Sequence, residues 1–523
     1  MRLPLPEILC GLALLVLPLA APASAQDAPA LYETHCASCH GAERLGGQGP
    51  VLLPESLGRL RPAQANAVIA RGRPATQMPG FADRLSATEI EALARFVYQP
   101  PATPPRWDEA DIEASRAILV DPATLPERPV FAADPMNLFL VVEAGDHHAT
   151  VLDGDSFRPL HRFATRPTLH GGPKFSPDGR FAYLMSRDGW VQKFDMYSLQ
   201  VVAEVRAGIN SRNIALSSDG RFVAVANYLP GTVVLLDARD LSVRRVIPAI
   251  AQRGGVTSRV SAVYDARPRR SFIVAMKDIP EIWEISYDEN APPVFPGLVH
   301  SYERGMVEGV GAQSGLFALR RIAVDEPLDD FMFDPAYANL LGSTRDGGRT
   351  VVVNLNVGRP VATVPLAGLP HLGSGITWMH NGRRVMATPH LDRAQISVID
   401  MQDWSVIATI PTGGPGFFMR SHADTPYAWT DGMLGPARDT ITIIDKRTLQ
   451  VARTLTPSPG RTAAHVEFTR DGRFALVSIW EDEGELVVYN AETFAEVVRL
   501  PMRRPSGKYN VGNKTGLEEG TSH

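Results

Sequence analysis

Cysteine is scarce in this chain, with 3 in 523 residues. Cys10 lies in an apolar N-terminal stretch, which leaves Cys36 and Cys39 for the rest of the chain. A framework of several disulfides, of the kind that holds small secreted domains together, is therefore excluded. Any role of Cys36 and Cys39 must be found within one short segment.

The sequence also lacks an excess of charge of either sign. Lys and Arg number 52 against 57 Asp and Glu, which gives a net charge of −5. Because no basic excess or block of like charge is present, we expect no nucleic-acid partner. Hydrophobic residues make up 44% and charged residues 21%, the balance of an ordinary soluble globular protein.

Long apolar runs are missing after the first 25 residues. The chain begins with a charged Arg2, an apolar run from Ile8 to Leu19, and the small-residue pattern Ala23-Ser24-Ala25. These are the parts of a secretory signal peptide, and the apolar run is short for a membrane anchor, which is the alternative. We predict a signal peptide over residues 1–25, no membrane span after its cleavage, and a mature protein in a bacterial periplasm.

The segment Cys36-Ala37-Ser38-Cys39-His40 has the spacing that covalent haem attachment requires. Each cysteine would form a thioether with a former vinyl group, and His40 would ligate the iron. A local disulfide or half of a zinc site is the alternative, but no further cysteine follows to complete a zinc site. Since c-type haem is attached outside the cytoplasm, the export signal supports one covalent haem c.

A second iron ligand is predicted in the loop 73–81, which reads RPATQMPGF. Met78 lies there between prolines, in the kind of loop from which class I cytochromes c supply a sulfur ligand, although it could also be core filler. Ser86 as N-cap and Glu89 at the capping-box position then predict a helix over 86–97. We expect a small all-α class I cytochrome c domain over residues 26–105 and a linker over 106–130.

From residue 131 onwards, short β-branched runs alternate with tight turns. One unit carries turns at Asp178-Gly179 and Asp188-Gly189, and the first of these recurs 41 residues later at Asp219. Such a period, with Asp-Gly hairpin turns, is typical of propeller blades. We count eight units and predict an all-β eight-bladed propeller over residues 131–523, with seven blades as the alternative because the unit after residue 265 is irregular. The units start near residues 138, 175, 215, 265, 334, 377, 423 and 468.

Three histidines lie near the boundaries between these units, namely His170, His371 and His465. Glycines follow the first two closely, and a glycine allows the backbone to approach a flat ligand. A structural role in the blade connections is the alternative for each histidine. Three such positions in a chain that already carries a redox centre favour a second cofactor site on the propeller face.

Four motifs in the propeller carry a family resemblance. They are His170-Gly171-Gly172, Pro370-His371-Leu372-Gly373-Ser374-Gly375, His465-Val466-Glu467-Phe468 and Ser506-Gly507-Lys508-Tyr509-Asn510-Val511. With the fused cytochrome domain, the chain resembles the cytochrome cd1 nitrite reductases and, more closely, the dihydro-haem d1 dehydrogenases of haem d1 biosynthesis. Two departures favour the dehydrogenases: residues 326–333 lack the first of the reductases' two pocket histidines, and Tyr509 stands where the reductases have Phe.

The resemblance implies an oxidoreductase that converts a propionate of dihydro-haem d1 to an acrylate and passes the electrons to haem c. It implies that His170 and His371 are the proximal and distal ligands of the d1 iron, and that His465 and Tyr509 act on the propionate. Ligation by two histidines leaves no open position for nitrite. A nitrite reductase and a non-catalytic carrier of haem d1 are the alternative functions.

The carboxylates of such a tetrapyrrole substrate need cationic partners. We expect them on segments between blades, and the candidates are Arg212, Arg259 and Arg420, with Tyr228 as a further lining residue. A periplasmic electron acceptor must also exist. Nitrite reductase and other proteins of the haem d1 pathway are candidate partners.

Overall fold

A computed structural model describes residues 27–47, 49–57, 60, 62–72, 78–295, 302–303, 306–307, 312–344 and 348–517. The predicted signal peptide and residues 73–77 of the loop before Met78 lie outside these ranges. Within them, none of the helices combines the length and the apolar character that a membrane crossing needs.

Helices form a small N-terminal domain. They span Ala28–His35, Ala37–His40, Pro62–Arg71 and Ala87–Val97. The last begins as predicted, because the Glu89 N–H donates to Ser86 Oγ at 3.3 Å and the Ser86 N–H donates to the Glu89 carboxylate at 2.7 Å. Its apolar face packs with Tyr32 and Phe81 in one cluster. This is the all-α cytochrome c domain of the prediction.

Eight antiparallel sheets follow, and each is one propeller blade. We number the blades along the chain. Blade 1 contains Leu138–Glu143, His148–Asp153, Pro159–Ala164 and the late strand Pro505–Asn510; blade 2 contains Lys174–Phe175, Phe181–Met185, Trp190–Asp195 and Gln200–Arg206; blade 3 contains Asn210–Leu216, Phe222–Leu229, Thr232–Asp237 and Val243–Pro248; blade 4 contains Val260–Ala266, Ser271–Met276, Glu281–Ser286 and Leu319–Ala323. Blade 5 contains Leu328–Phe333, Asn339–Thr344, Thr350–Asn354 and Arg359–Val364; blade 6 contains Ile376–His380, Arg383–Pro389, Gln395–Asp400 and Val406–Pro411; blade 7 contains Met419–Ser421, Tyr427–Asp431, Ile441–Asp445 and Gln450–Leu455; blade 8 contains Ala463–Phe468, Phe474–Ile479, Gly484–Asn490 and Glu496–Met502. The eight-bladed prediction is confirmed, and the seven-bladed alternative is wrong.

Blade 4 explains the irregular repeat. Its third and fourth strands are separated by an insertion that holds a short hairpin, in which Tyr302–Glu303 pairs with Met306–Val307. The insertion lengthens the unit without adding a blade. Several units also begin a few residues before the expected positions, because the innermost strand precedes the turn that marks the repeat in the sequence.

The late strand Pro505–Asn510 closes the ring. It pairs with Leu138–Glu143, with Tyr509 opposite Leu140. It therefore takes the inner position of blade 1, which the first strand of each other blade occupies. A final helix, Val511–Gly516, follows directly. Ring closure thus brings Tyr509 to the propeller axis.

The segment 106–130 packs on the propeller. Its helix, Glu109–Ser115, buries Ile112 in the apolar cluster between blades 2 and 3. Its strand, Ala117–Ile118, pairs with Gln200–Arg206 and adds a fifth strand at the outer edge of blade 2. The predicted linker is therefore held against the propeller along its course.

Candidate functional site

The haem motif surrounds a histidine in the geometry of an iron ligand. The His40 imidazole is buried, and its Nδ1–H donates to the Pro50 carbonyl at 2.7 Å. A metal-binding histidine is commonly held in this way through the nitrogen that does not bind the metal, which leaves Nε2 for iron. Burial lowers the pKa of His40, so the imidazole stays in the neutral form that binds iron.

The other residues of the motif agree with covalent haem. Cys36 and Cys39 are not joined in a disulfide in this structure. In the described part of the chain, no group of three or more His, Cys, Asp or Glu side chains is placed to hold a metal ion, so the zinc alternative has no support. Met78 is half-buried just beyond the undescribed residues, and its role as the second ligand stays a prediction.

Two propeller histidines repeat the His40 geometry. The Nδ1–H of His170 donates to the Arg212 carbonyl at 2.7 Å, and the Nδ1–H of His371 donates to the Phe417 carbonyl at 2.7 Å. Nε2 of His170 accepts hydrogen bonds from Arg187 at 2.9 Å and Arg212 at 3.0 Å, which hold the position that a metal would take. Burial lowers the pKa of His371. Both histidines suit iron ligation.

Other histidines of the propeller use both ring nitrogens. His390 contacts the Gly368 carbonyl at 3.2 Å and Ser397 Oγ at 2.9 Å. His422 contacts the Arg470 carbonyl at 3.1 Å and the Asp424 N–H at 3.1 Å. Their partners are backbone groups and a serine hydroxyl, which indicates a structural role. At Nε2 of His170 the partners are instead the guanidinium groups of two arginines.

His465 does not lie between blades, contrary to expectation. It lies in the innermost strand of blade 8, where the register shifts between Ala464 and Val466. The shift gives His465 a φ of 50°, a left-handed conformation that costs energy for a residue with a side chain. The ring is fully buried, and neither nitrogen has a hydrogen-bond partner among the described residues. A strained, buried and unpartnered imidazole is costly to stability, and such features concentrate at functional sites.

A series of ring contacts joins the predicted site residues. The centroid of the Tyr509 ring is 5.2 Å from that of His465, and Phe418 lies 4.6 Å from His465 on another side. The Phe417 ring lies 4.1 Å from His371, tilted by 45°, and 4.7 Å from the Phe418 ring. Tyr509 also lines a cavity with His170 and the glycines after it. The structure therefore brings together the four residues that the motifs singled out, which are His170, His371, His465 and Tyr509.

Gly172 leaves space for the Tyr509 ring. The sequence had indicated only that this glycine would allow a flat ligand to approach the backbone. Its φ is 65°, and a Cβ there would lie 2.7 Å from Tyr509 Cε1. We expect Gly172→Ala to destabilise the protein by roughly 1–3 kcal/mol, because it adds backbone strain and displaces the ring. Urea unfolding would measure this. Gly382→Ala is the matched control for backbone strain alone, because Gly382 has φ 79° and open space around the position of a Cβ. An equal loss of unfolding free energy in that variant would show that displacement of the Tyr509 ring contributes nothing.

Cationic side chains surround the site, and sequence reasoning missed most of them. Arg420 and Lys508 are buried, whereas Lys174 and Lys514 line a cavity together with Tyr264. Burial, with the charge of Arg420 nearby, lowers the pKa of Lys174 to about 8. The same causes, with cations prevailing over the Glu467 carboxylate, lower the pKa of Lys514 well below its ordinary value. Nothing in a sequence of strands and turns indicates that a lysine will face the axis of the ring.

The predicted carboxylate partners differ in their surroundings. Arg212 and Arg420 lie in the innermost strands of blades 3 and 7, not between blades as expected, and Arg259 directly precedes blade 4. Arg259 is held in a two-point ion pair with Asp278, at 2.8 and 2.5 Å. The Tyr228 hydroxyl is buried and has no hydrogen-bond partner within the described ranges. Arg212, Arg420 and Tyr228 are thus better placed than Arg259 to receive a ligand group.

Asp330 is a pocket residue that the sequence did not reveal. It lies within residues 326–333, where the resemblance would place the first of the reductases' two pocket histidines. Its carboxylate accepts the Gly373 N–H at 2.7 Å and the Tyr264 hydroxyl at 3.0 Å, and it lies 3.9 Å from His371 Nε2. A carboxylate, and not a second histidine, thus lies beside His371.

Comparison with known proteins agrees with this geometry. A family model described as "Cytochrome D1 heme domain" matches residues 133–300 and 312–514. The chain belongs to this cytochrome d1 haem domain family. A second model, described as "Cytochrome C oxidase, cbb3-type, subunit III", matches residues 23–97.

Individual relatives of the chain support its resemblance to the dihydro-haem d1 dehydrogenases. The chain is 58% identical to the dihydro-heme d1 dehydrogenase of Pseudomonas aeruginosa over 98% of its own length and 100% of that protein. It is 23% identical to a nitrite reductase of Stutzerimonas stutzeri, over 92% of each chain. The solved structure of dihydro-heme d1 dehydrogenase NirN in complex with DHE matches with a TM-score of 0.84 and 57% identity, covering 93% of this chain and 99% of that one. The predicted resemblance to the dehydrogenases is confirmed.

Proposed function

We propose that this chain converts a propionate side chain of dihydro-haem d1 to an acrylate, with His465 and Tyr509 as the acid/base pair. The name and near-complete coverage of the 58% identical relative support the activity. The observation that carries the residue assignment is the His465 imidazole, which is buried, strained and unpartnered in the described structure, beside Tyr509. The chain is thus an oxidoreductase of haem d1 biosynthesis.

His170 and His371 would bind the substrate iron through Nε2. In both residues the Nδ1–H is already fixed on a carbonyl, so the ring orientation is set before the substrate enters. Arg187 and Arg212 would leave Nε2 of His170 as the iron binds. Their guanidinium groups, with Arg420 and Lys174, would then pair with the carboxylates of the macrocycle.

His465 is suited to accept a proton from the propionate. Burial and the nearby Lys508 and Arg420 hold the pKa of His465 well below its ordinary value, so the ring is neutral and can act as a base. Burial raises the pKa of Tyr509 to about 12, so its hydroxyl remains a proton donor. Tyr509 would orient the side chain through its hydroxyl, while His465 would take one proton and the second would pass to solvent.

Haem c, held by Cys36, Cys39, His40 and Met78, would accept electrons one at a time and pass them to an external acceptor. The loss of one CH–CH pair of hydrogens releases two electrons and two protons. The external acceptor must therefore take an electron from haem c twice in each turnover. We place the enzyme in the periplasm, on the signal peptide and haem c motif, with a periplasmic acceptor and other haem d1 pathway proteins as partners.

Anaerobic incubation of the purified holoprotein with dihydro-haem d1 and an oxidant tests the function. The expected product is haem d1, lighter by two hydrogens by mass spectrometry. Tight binding without a change in mass would indicate the carrier, and nitric oxide from nitrite with a reduced donor would indicate the reductase. Either result would overturn the proposal.

The pH dependence of kcat/KM should separate His465 from Lys174. An ordinary histidine has a pKa of 6.5, and the pKa of His465 lies well below that value. His465 is therefore still neutral at pH 6.5, and kcat/KM should not fall as the pH drops to 6.5. Lys174 is charged below its pKa of about 8 and neutral above it, so carboxylate pairing and kcat/KM should fall as the pH rises through about 8. Lys174→Arg, which stays charged, should remove the alkaline fall. An acid fall centred near pH 6.5 would contradict the state assigned to His465.

A further inference from the structure

The Asp188-Gly189 turn of blade 2 contacts the cytochrome domain. Asp188 Oδ1 accepts the Val51 N–H at 3.2 Å across 137 residues of sequence. Gly46, with φ 85°, comes so close that a Cβ on it would lie 3.2 Å from Asp188 Cγ. In the sequence this Asp-Gly pair indicated only a hairpin turn. In the structure its carboxylate lies within the boundary between the two domains.

The carboxylate is unusual for a surface turn. Asp188 is 3% exposed, and its Oδ2 has no hydrogen-bond partner among the described residues. Arg206 Nε donates to the main-chain carbonyl of Asp188 at 2.9 Å rather than to the carboxylate. Burial of a carboxyl with so little compensation costs stability, so its presence calls for a role beyond closing a hairpin.

On the cytochrome side, the contact leads to the haem ligand. Val51 follows Pro50, and the Pro50 carbonyl accepts the Nδ1–H of His40 at 2.7 Å. Asp188 is therefore two hydrogen bonds and one peptide unit from the imidazole of His40. A group that holds a metal-binding histidine through its second nitrogen fixes the ring and tunes the metal.

On the propeller side, the same turn leads to the other proximal histidine. Arg187 precedes Asp188, and its carbonyl accepts the Ser211 N–H at 2.8 Å. Ser211 is bonded to Arg212, whose carbonyl accepts the Nδ1–H of His170 at 2.7 Å. Both histidines join this route through Nδ1, so the route would stay intact when Nε2 of each binds iron.

We propose that Asp188 is a positioning residue that completes a bonded route for electrons between the two haem sites. The route runs from His170 through Arg212, Ser211, Arg187, Asp188, Val51 and Pro50 to His40. It contains four hydrogen bonds, of which the Asp188–Val51 bond is the one that crosses between the domains. Each electron that leaves the substrate reduces one ferric haem c to the ferrous form, and the external acceptor reoxidises it before the next. This inference rests on the proposed function.

Stopped-flow absorption of the ferric holoprotein, mixed anaerobically with dihydro-haem d1, tests the route. Asp188→Ala should slow the appearance of ferrous haem c by about 10- to 100-fold. This is the usual loss when a group that orients a metal ligand is removed. Asp188→Asn keeps an oxygen acceptor for the Val51 N–H and should restore the wild-type rate. Reduction of haem c by a small external reductant should be the same in all variants. Hydrogen exchange at the Val51 amide should rise in the Ala variant and not in the Asn variant.

Ser56→Ala is the matched control at the same boundary. It removes the 2.8 Å bond from Asn210 Nδ2 to Ser56 Oγ, which joins the domains through two side chains that are not part of the route. We expect no change in rate. Equal slowing in Ser56→Ala and Asp188→Ala would mean that docking alone matters, and an unchanged rate in Asp188→Ala would also overturn the route. Failure of the wild type to reduce haem c would instead refute the proposed function.

Discussion

Replacement of His465 by Ala should lower the turnover number about 10²- to 10⁴-fold, the usual contribution of a general base. The ring makes no hydrogen bond with the described residues, so its removal breaks no polar network. Binding of dihydro-haem d1 should remain, because the iron ligands and the cations lie on other strands. Anaerobic turnover assays and a spectral titration of the same preparation would measure both quantities.

A second buried histidine provides the control for this prediction. His422 lies in the neighbouring blade, is 4% exposed and uses both nitrogens in hydrogen bonds. His422→Ala should lower stability and leave the turnover of the folded enzyme unchanged. If His465→Ala lost substrate binding instead of turnover, the assignment of His465 as a base would be wrong.

Simultaneous replacement of Cys36 and Cys39 by Ser should abolish sustained turnover. Without thioethers haem c is not attached, and electrons from the substrate have no carrier to the acceptor. The substrate site on the propeller is built from other strands, so binding of dihydro-haem d1 should persist. Haem staining of a denaturing gel would check the loss of haem attachment. A binding titration would check that dihydro-haem d1 still binds, and product analysis over many equivalents of substrate would check the loss of turnover.

Ser38→Ala, inside the same motif, is the control for this double variant. Ser38 is exposed and lies between the two cysteines, so its loss should leave haem attachment and turnover intact. Sustained turnover by the double serine variant would show that electrons leave the propeller directly. The assignment of haem c as the electron exit would then be refuted.

Features of the fold and the site that depend on neighbouring residues in the chain could be predicted from the sequence. The haem motif, the capping box at Ser86 and the eight repeats each depend on residues a few positions apart, and spacing alone revealed them. His170 and His371 also lie between blades as expected.

Features with a distant cause could not be predicted. The bulge at His465 depends on pairing with the next strand of blade 8, so a connection between blades was expected there. The ion pair of Arg259 with Asp278 depends on the pairing of two strands of blade 4. The burial of Lys508 depends on the closed ring. Alternation of apolar and polar residues does not distinguish an inward lysine from a solvated one.

Asp330 marks a difference from the two-histidine pocket that a nitrite reductase would need. Its carboxylate accepts hydrogen bonds from the Gly373 N–H and the Tyr264 hydroxyl and lies 3.9 Å from His371 Nε2. We expect this wall of the pocket to offer no second histidine for the protonation of nitrite, in keeping with the proposed oxidation of a side chain.

Closure of the ring by Pro505–Asn510 also fixes the order in which the protein matures. Cys36 and His40 precede every strand of the propeller, whereas Tyr509 is the last of the site residues. The residues that would hold haem c lie in the N-terminal domain, but the substrate site is complete only when the ring has closed on Tyr509. An incomplete chain would therefore carry its electron exit without ever acquiring a substrate to oxidise.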